Sequence, residues 1–161
     1  MSLLRAIPAG QACPLSSFYR VGRAGTACHA MDLSFPSAGI ALLQIRKAPD
    51  RAAGEAMVTR IRERVIAGEV RGLVLDLSEQ LSSALTGALA RNLLTMVDGR
   101  LARDLGADQV LPLVIAAPPG SFGHGIGRMI VGHSYGLTRL KVCQFDTLPD
   151  AMAWLRDHAS G

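Results

Sequence analysis

V-R-G-L-V-L-D-L-S-E-Q-L, residues 70–81, is the stretch on which the fold turns. Residues 73–77 read as one strand, and Asp76, Ser78 and Glu79 stand where it surfaces. Four of its five central residues are apolar and they do not alternate with polar ones. That pattern suits a strand covered on both faces, as in a parallel sheet with helices on each side. In open α/β sheets, ligands and partners gather beyond the carboxyl ends of such strands. Asp76, Ser78, Ser82 and Ser83 are therefore the first candidates for function.

Outward from this strand the chain alternates. Residues 40–45 (I-A-L-L-Q-I) form a strand before it. Between the two, residues 51–67 make an amphipathic helix, with Met57, Ile61 and Val65 at i, i+4 and i+8. Asp50 is its expected cap and Gly68 its stop. After the strand, a long helix is expected over residues 84–105, capped by Ser82 or Ser83. Its buried stripe reads Leu85, Leu89, Leu93, Met96, Val97, Leu101 and Leu105, and Asp98-Gly99 marks a kink or break, because Gly costs roughly 1 kcal/mol in a helix interior. Residues 110–117 give the next buried strand. Residues 122–133 give a helix with Phe122, Ile126, Met129, Ile130 and His133 on one face. Residues 140–145 give the last strand. Thr147, Pro149 and Asp150 then open the final helix with a capping box.

Ahead of residue 40, residues 18–21 and 27–35 suggest short strands, with a turn at Pro36-Ser37 and Gly39. Residues 1–16 read as an irregular arm. The whole predicts an α/β fold in one domain, residues 1–161: a mostly parallel sheet of four to five strands flanked by helices, with an N-terminal hairpin or arm.

Composition narrows the function classes. The chain has 161 residues, 49% of them hydrophobic, enough for one buried core. Its 17 basic and 13 acidic residues leave a formal charge of +4. That balance allows an anionic ligand, but there is no basic block with interleaved aromatics, so no nucleic-acid partner is expected. Cys13, Cys28 and Cys143 have no metal-binding spacing and form no even framework, which points to a reducing cytoplasm and no metal. The first residues carry no apolar run of signal-peptide length, and no run of about 18 apolar residues predicts a membrane span.

Four segments carry a resemblance: V-R-G-L-V-L-D-L-S, L-P-L-V-I-A-A-P, F-G-H-G-I-G-R-M and V-C-Q-F-D-T-L-P-D-A-M-A-W-L. Over about residues 38–158 the chain resembles STAS domains, the fold of anti-sigma-factor antagonists and of the cytoplasmic tails of sulphate transporters. It is closer still to bacterial STAS-like proteins grouped with a lipid-binding fold. The resemblance implies regulation by protein contacts, sometimes with a nucleotide or lipid, and no cofactor. Antagonists of this type carry a phosphorylatable serine in D-S-S-G at the start of the helix after the central strand. Here the corresponding residues are L-S-S-A: Ser82 and Ser83 match the serines, while Leu81 replaces the Asp and Ala84 the Gly.

The other candidates are weighed on their own residues. Ser82 and Ser83 are regulatory phosphoacceptors or simple helix caps. Asp76 anchors a polar network or ties down its own loop. The segment 120–128, with Ser121, Gly123, His124, Gly125 and Arg128, is the best ligand candidate: its glycines would let the backbone approach an anion. The alternative is a tight strand-to-helix turn in which Arg128 pairs with a carboxylate on the helix flank. His124 reads as solvent-facing and His133 as a core residue. Ser121 with His124 lacks the G-x-S-x-G elbow of a hydrolase. V-I-A-A-P-P-G-S-F-G-H-G-I-G has some likeness to the glycine-rich segment of crotonase-like acyl-CoA enzymes, so an enzyme is the alternative to a regulatory module. Residues 1–35, apolar in part but with no place in the βα series, suggest a covering arm and a C2 homodimer.

Overall fold

The computed structural model describes residues 30–159 except Pro49 and Ala107. The irregular arm and the strand expected at residues 18–21 lie outside the described residues, and so does most of the segment that motivated the dimer.

Five strands and four helices follow in the order β1 (Met31–Ser37), β2 (Gly39–Ile45), α1 (Arg51–Ile66), β3 (Val70–Asp76), α2 (Gly87–Asp104), β4 (Leu111–Ala116), α3 (Phe122–His133), β5 (Leu140–Phe145) and α4 (Leu148–His158). They build one sheet in the order β1-β2-β3-β4-β5. The β1–β2 pair is an antiparallel hairpin, and β2, β3, β4 and β5 are parallel. The expected α/β fold is therefore observed, with β3 central. Leu73 pairs with Ala41 on one side and Leu113 on the other.

The hairpin differs from its expectation. β1 runs through Pro36 to Ser37 instead of turning there, and its register shifts between Ser34 and Ser37. Proline lacks an N–H, but β1 is the sheet's edge, where that donor is not needed. The turn is confined to Ala38, with Gly39 at φ +78°.

Because side chains alternate along each strand, the sheet has two apolar faces. Ala41, Leu43, Leu113 and Ile115 face a layer formed by α1, α2 and α3, through Ile61, Val65, Leu94, Leu101 and Ile130. Ile40, Val74, Val114 and Ala116 face α4, the one described helix on that side, through Ala151 and Leu155. Gly72 allows that second contact: a Cβ there would come within 2.6 Å of Leu155 Cδ1.

The helix ends follow local chemistry. Asp50 caps α1 by accepting from the Ala53 N–H at 2.7 Å. At its other end the Gly68 N–H donates to Val65 O and the Glu69 N–H to Arg64 O, with Gly68 at φ +73°. Only glycine adopts that left-handed turn at little cost. Thr147 caps α4 by accepting from the Asp150 N–H at 3.2 Å, and its hydroxyl donates to the Asp150 carboxylate at 2.6 Å.

Helix α2 departs from expectation in three ways. It starts at Gly87, capped by Thr86 Oγ1, which accepts from the Leu89 N–H at 3.2 Å. Ser82 and Ser83 therefore do not cap it. It runs unbroken through Gly99 to Asp104. Its buried residues are Ala90, Leu94 and Leu101, whereas Leu89, Leu93 and Met96 are 43%, 41% and 39% exposed. Of the expected stripe, Leu101 is buried and Leu85, Val97 and Leu105 pack against the core, so the departure is confined to Leu89, Leu93 and Met96, whose places are taken by Ala90 and Leu94.

Candidate functional site

Beyond the carboxyl ends of the strands, polar residues replace the apolar core. On the α4 side, Asp76 is 93% buried and fully engaged. Its Oδ1 accepts from the Ser78 N–H at 3.0 Å and the Ser78 hydroxyl at 2.6 Å. Its Oδ2 accepts from Gln44 Nε2 at 3.0 Å, so the carboxylate joins the ends of β2 and β3. This is the geometry of a residue tying down its own loop, and it satisfies the charge that burial would otherwise make costly.

That loop, residues 77–86, has neither helix nor strand. Leu77 is buried, with its N–H donating to Ala116 O at 2.9 Å. Gln80 is buried as well: its N–H donates to Leu77 O and its Nε2 to Ser82 O, while its Oε1 has no donor among the described residues. The Leu81 N–H donates to Arg46 O at 3.3 Å, and the Arg46 guanidinium bonds Glu79 at 2.7 Å. The Glu79 hydrogen bond raises the Arg46 pKa further above its ordinary value. On this anchored base Leu81 is 79% exposed. Ser82 beside it is exposed, and Ser83 Oγ accepts from the Leu85 N–H at 2.9 Å. Both serines precede the first residue of α2, so neither stands at a helix N-terminus.

On the α3 side, Ser121 caps the helix. Its hydroxyl donates to Pro118 O at 2.7 Å and accepts from the His124 N–H at 3.1 Å. The structure gives it no bond to the His124 ring, so the pair has no nucleophile–base contact. His124 is half-buried, not solvent-facing as expected. Gln144 Nε2 lies 3.1 Å from His124 Nδ1 and 3.3 Å from His124 O. The same Nδ1 lies 3.4 Å from Ala117 O, so this nitrogen meets both a donor and an acceptor, and the tautomer decides which of the two it bonds.

The glycines of α3 have distinct surroundings. A Cβ on Gly123 would overlap Leu77 O and stand 2.8 Å from Leu77 Cβ. One on Gly127 would stand 2.8 Å from Gln144 Cδ, and one on Gly125 would meet nothing within 4 Å. Gly123 and Gly127 thus let α3 lie close to the end of β3 and to β5. The buried face of this helix is Gly123, Gly127 and Ile130, and Phe122, expected inside, is 48% exposed. Arg128 is exposed, and the carboxylate pairing expected for it is not formed with any described residue. His133, expected in the core, is half-buried, with Nδ1 3.4 Å from the Arg91 guanidinium.

The structure thus assembles two polar clusters, Asp76–Ser78–Gln44 and Ser121–His124–Gln144, on opposite faces of one sheet edge. The two glutamines were missed from sequence. Each is the lone polar residue near the end of an otherwise apolar run, I-A-L-L-Q-I and V-C-Q-F, which was the available signal. Elsewhere, burial pushes the Cys143 thiol up, against a smaller opposing effect of Lys141. No three metal-ligating side chains come together among the described residues. No helix among them is long and apolar enough to cross a membrane.

The architecture defines a class. Two solved structures share it: the anti-sigma factor antagonist SpoIIAA in its unphosphorylated form and the Bacillus cell fate determinant SpoIIAA in the phosphorylated form. The first matches at a TM-score of 0.51 and 15% identity, over 80% of this chain and 97% of that one. The second matches at 0.51 and 16%, over 79% and 100%. The chain has the STAS fold of an anti-sigma factor antagonist. No protein-family model matches it, and no curated protein does.

Proposed function

We propose that the chain is a regulatory module that works by docking a partner protein through the loop of residues 77–86. The observation that carries this is Leu81, a large apolar side chain 79% exposed on a loop whose base is locked by buried Gln80, Arg46 and the Asp76–Ser78 cluster. An anchored loop presenting one apolar side chain pays little ordering entropy on binding. The shared fold supports a regulatory role, since both similar structures are of an anti-sigma factor antagonist.

Ser82 is the switch of this reading. It is exposed, whereas the Ser83 hydroxyl is held by Leu85, and one of the similar structures is a phosphorylated form. A phosphate on Ser82 would set a charge of about −2 beside Leu81 and oppose apolar docking there.

The test is quantitative co-purification from native lysate with full-length wild type, Leu81→Ser and Ser82→Glu. A partner enriched with wild type and lost several-fold with both variants, at unchanged melting temperature, is the expected result. Equal enrichment across the three proteins refutes the reading, and phosphate mapped to Ser83 with none on Ser82 refutes the switch.

A further inference from the structure

Leu89, Leu93 and Met96 lie at i, i+4 and i+7 on the outward side of α2, all about two-fifths exposed. The buried residues of this helix are Ala90, Leu94 and Leu101, so the second apolar stripe lies outside its buried face. Arg100, one turn beyond Met96, and Arg103 continue the stripe, and neither bonds a described residue. Both carboxylates of α2 are committed elsewhere. Asp98 accepts from the N–H groups of Thr138, Arg139 and Leu140, and Asp104 pairs with Arg62 of α1 at 2.7 Å. The Asp104 carboxylate also feels Arg100 and Arg103, so three guanidinium groups share one carboxylate, and the stripe, apolar along about 10 Å, ends in an excess of positive charge.

We propose that this face of α2 docks an acidic amphipathic helix of a partner protein, its apolar side on Leu89, Leu93 and Met96 and its carboxylates on Arg100 and Arg103. This goes beyond the loop-centred contact and does not depend on it. Charge selects the occupant. Residues 1–29 carry Arg5, Arg20 and Arg23 and no acidic residue, so the chain's own N-terminal segment would bring arginine to arginine. A second copy packed antiparallel about Leu93 and Met96 would set each Arg100 against the other's Leu89, with no free carboxylate on the stripe to pair it. An anionic membrane suits the signs, but surface binding draws on clusters of four or more basic residues and protruding apolar groups. Two arginines and half-buried leucines fit a helix-in-groove contact instead.

The probe is a fluorescein-labelled helical peptide of about 16 residues, with Leu at i, i+3, i+4 and i+7 and Glu toward one end, titrated by anisotropy into the full-length protein. Micromolar binding is expected, at least about tenfold tighter than for the same peptide with Lys in place of Glu. Arg100→Glu/Arg103→Glu should invert that preference, Leu89→Ser/Leu93→Ser should abolish both bindings, and Leu81→Ser should change neither. A photo-reactive residue at position 93 identifies the occupant. Cross-linking to the acidic peptide supports the proposal. Cross-linking to residues 1–29 or to a second copy overturns it, as does sedimentation with phosphatidylglycerol vesicles without peptide binding. Equal affinity for the two peptides, or binding that survives the α2 variants, overturns it too. The charge-reversal pair keeps the test valid even if the serine variant loses stability.

Discussion

Replacing Gly123 by alanine puts a methyl group against the end of β3, in overlap with Leu77 O and 2.8 Å from Leu77 Cβ. Leu77 is 99% buried and its N–H is bonded to Ala116 O, so the obstacle is fixed backbone and not a side chain that can swing away. Helix α3 must retreat, and overpacking of this kind costs about 2–3 kcal/mol. Alanine regains about 1 kcal/mol of helix propensity, which leaves a net loss of about 1–2 kcal/mol. Gly125, on the same helix, is the control. A Cβ there meets nothing within 4 Å, so Gly125→Ala should be stabilising by up to about 1 kcal/mol. The two variants should therefore differ by about 2–3 kcal/mol, or roughly 5–10 °C in melting temperature for a chain of this size. Urea titration by linear extrapolation and calorimetry both read this difference. A Gly123→Ala protein as stable as Gly125→Ala would refute close packing as the reason for the glycine.

Further outcomes follow from the polar contacts. Asp76→Ala should cost about 3 kcal/mol, because it strips Gln44 and Ser78 of a buried acceptor, and should raise hydrogen exchange across residues 77–86; exchange unchanged there would count against its anchoring role. Burial pushes the Asp98 carboxyl up, but the N–H donors of residues 138–140 and the Thr138 hydroxyl outweigh it, so its pKa lies below the ordinary 3.8. Its contribution to stability is therefore fully present above the unfolded-state pKa and lost as pH falls through the lower folded value; the gap between wild type and Asp98→Asn in urea should close only in that acid range. Arg128→Ala should leave the melting temperature unchanged, within about 0.5 kcal/mol, since the side chain is exposed and has no described partner. A marked drop in melting temperature would show a structural role.

The β-α alternation after residue 40 was legible because each strand is a short, mainly apolar run, most of them bounded by Gly, Pro or a cap, and such runs have few other readings. The ends of α1 and α4 were legible for the same reason: Asp50, Gly68 and Thr147 are each the lone strong signal in their neighbourhood. At α2 the signals multiply. Ser82, Ser83 and Thr86 are all competent caps, and Thr86 prevails where Gly87 lets His133 Nε2 approach to within 2.8 Å of where a Cβ would be. That contact spans 46 residues and leaves no local trace. The same helix carries two apolar stripes, and choosing the buried one needs knowledge of α3. In 120–128 the glycines were visible but their purpose was not, because Leu77 and Gln144 come from other elements.

Each strand of this sheet lies beside the one made before it, so a chain emerging in order can add β2 to β1, β3 to β2 and so on without waiting for a distant partner. The lone helix on the second face breaks that convenience. Ile40, Val74, Val114 and Ala116 are in place as soon as β4 forms, yet their cover is α4, the last of the described helices. During synthesis this apolar surface stays bare until residues 148–158 arrive. A chain halted before Ala151 and Leu155 would lack this cover and carry a nearly finished sheet with one greasy side open to chaperones, proteases and other such chains.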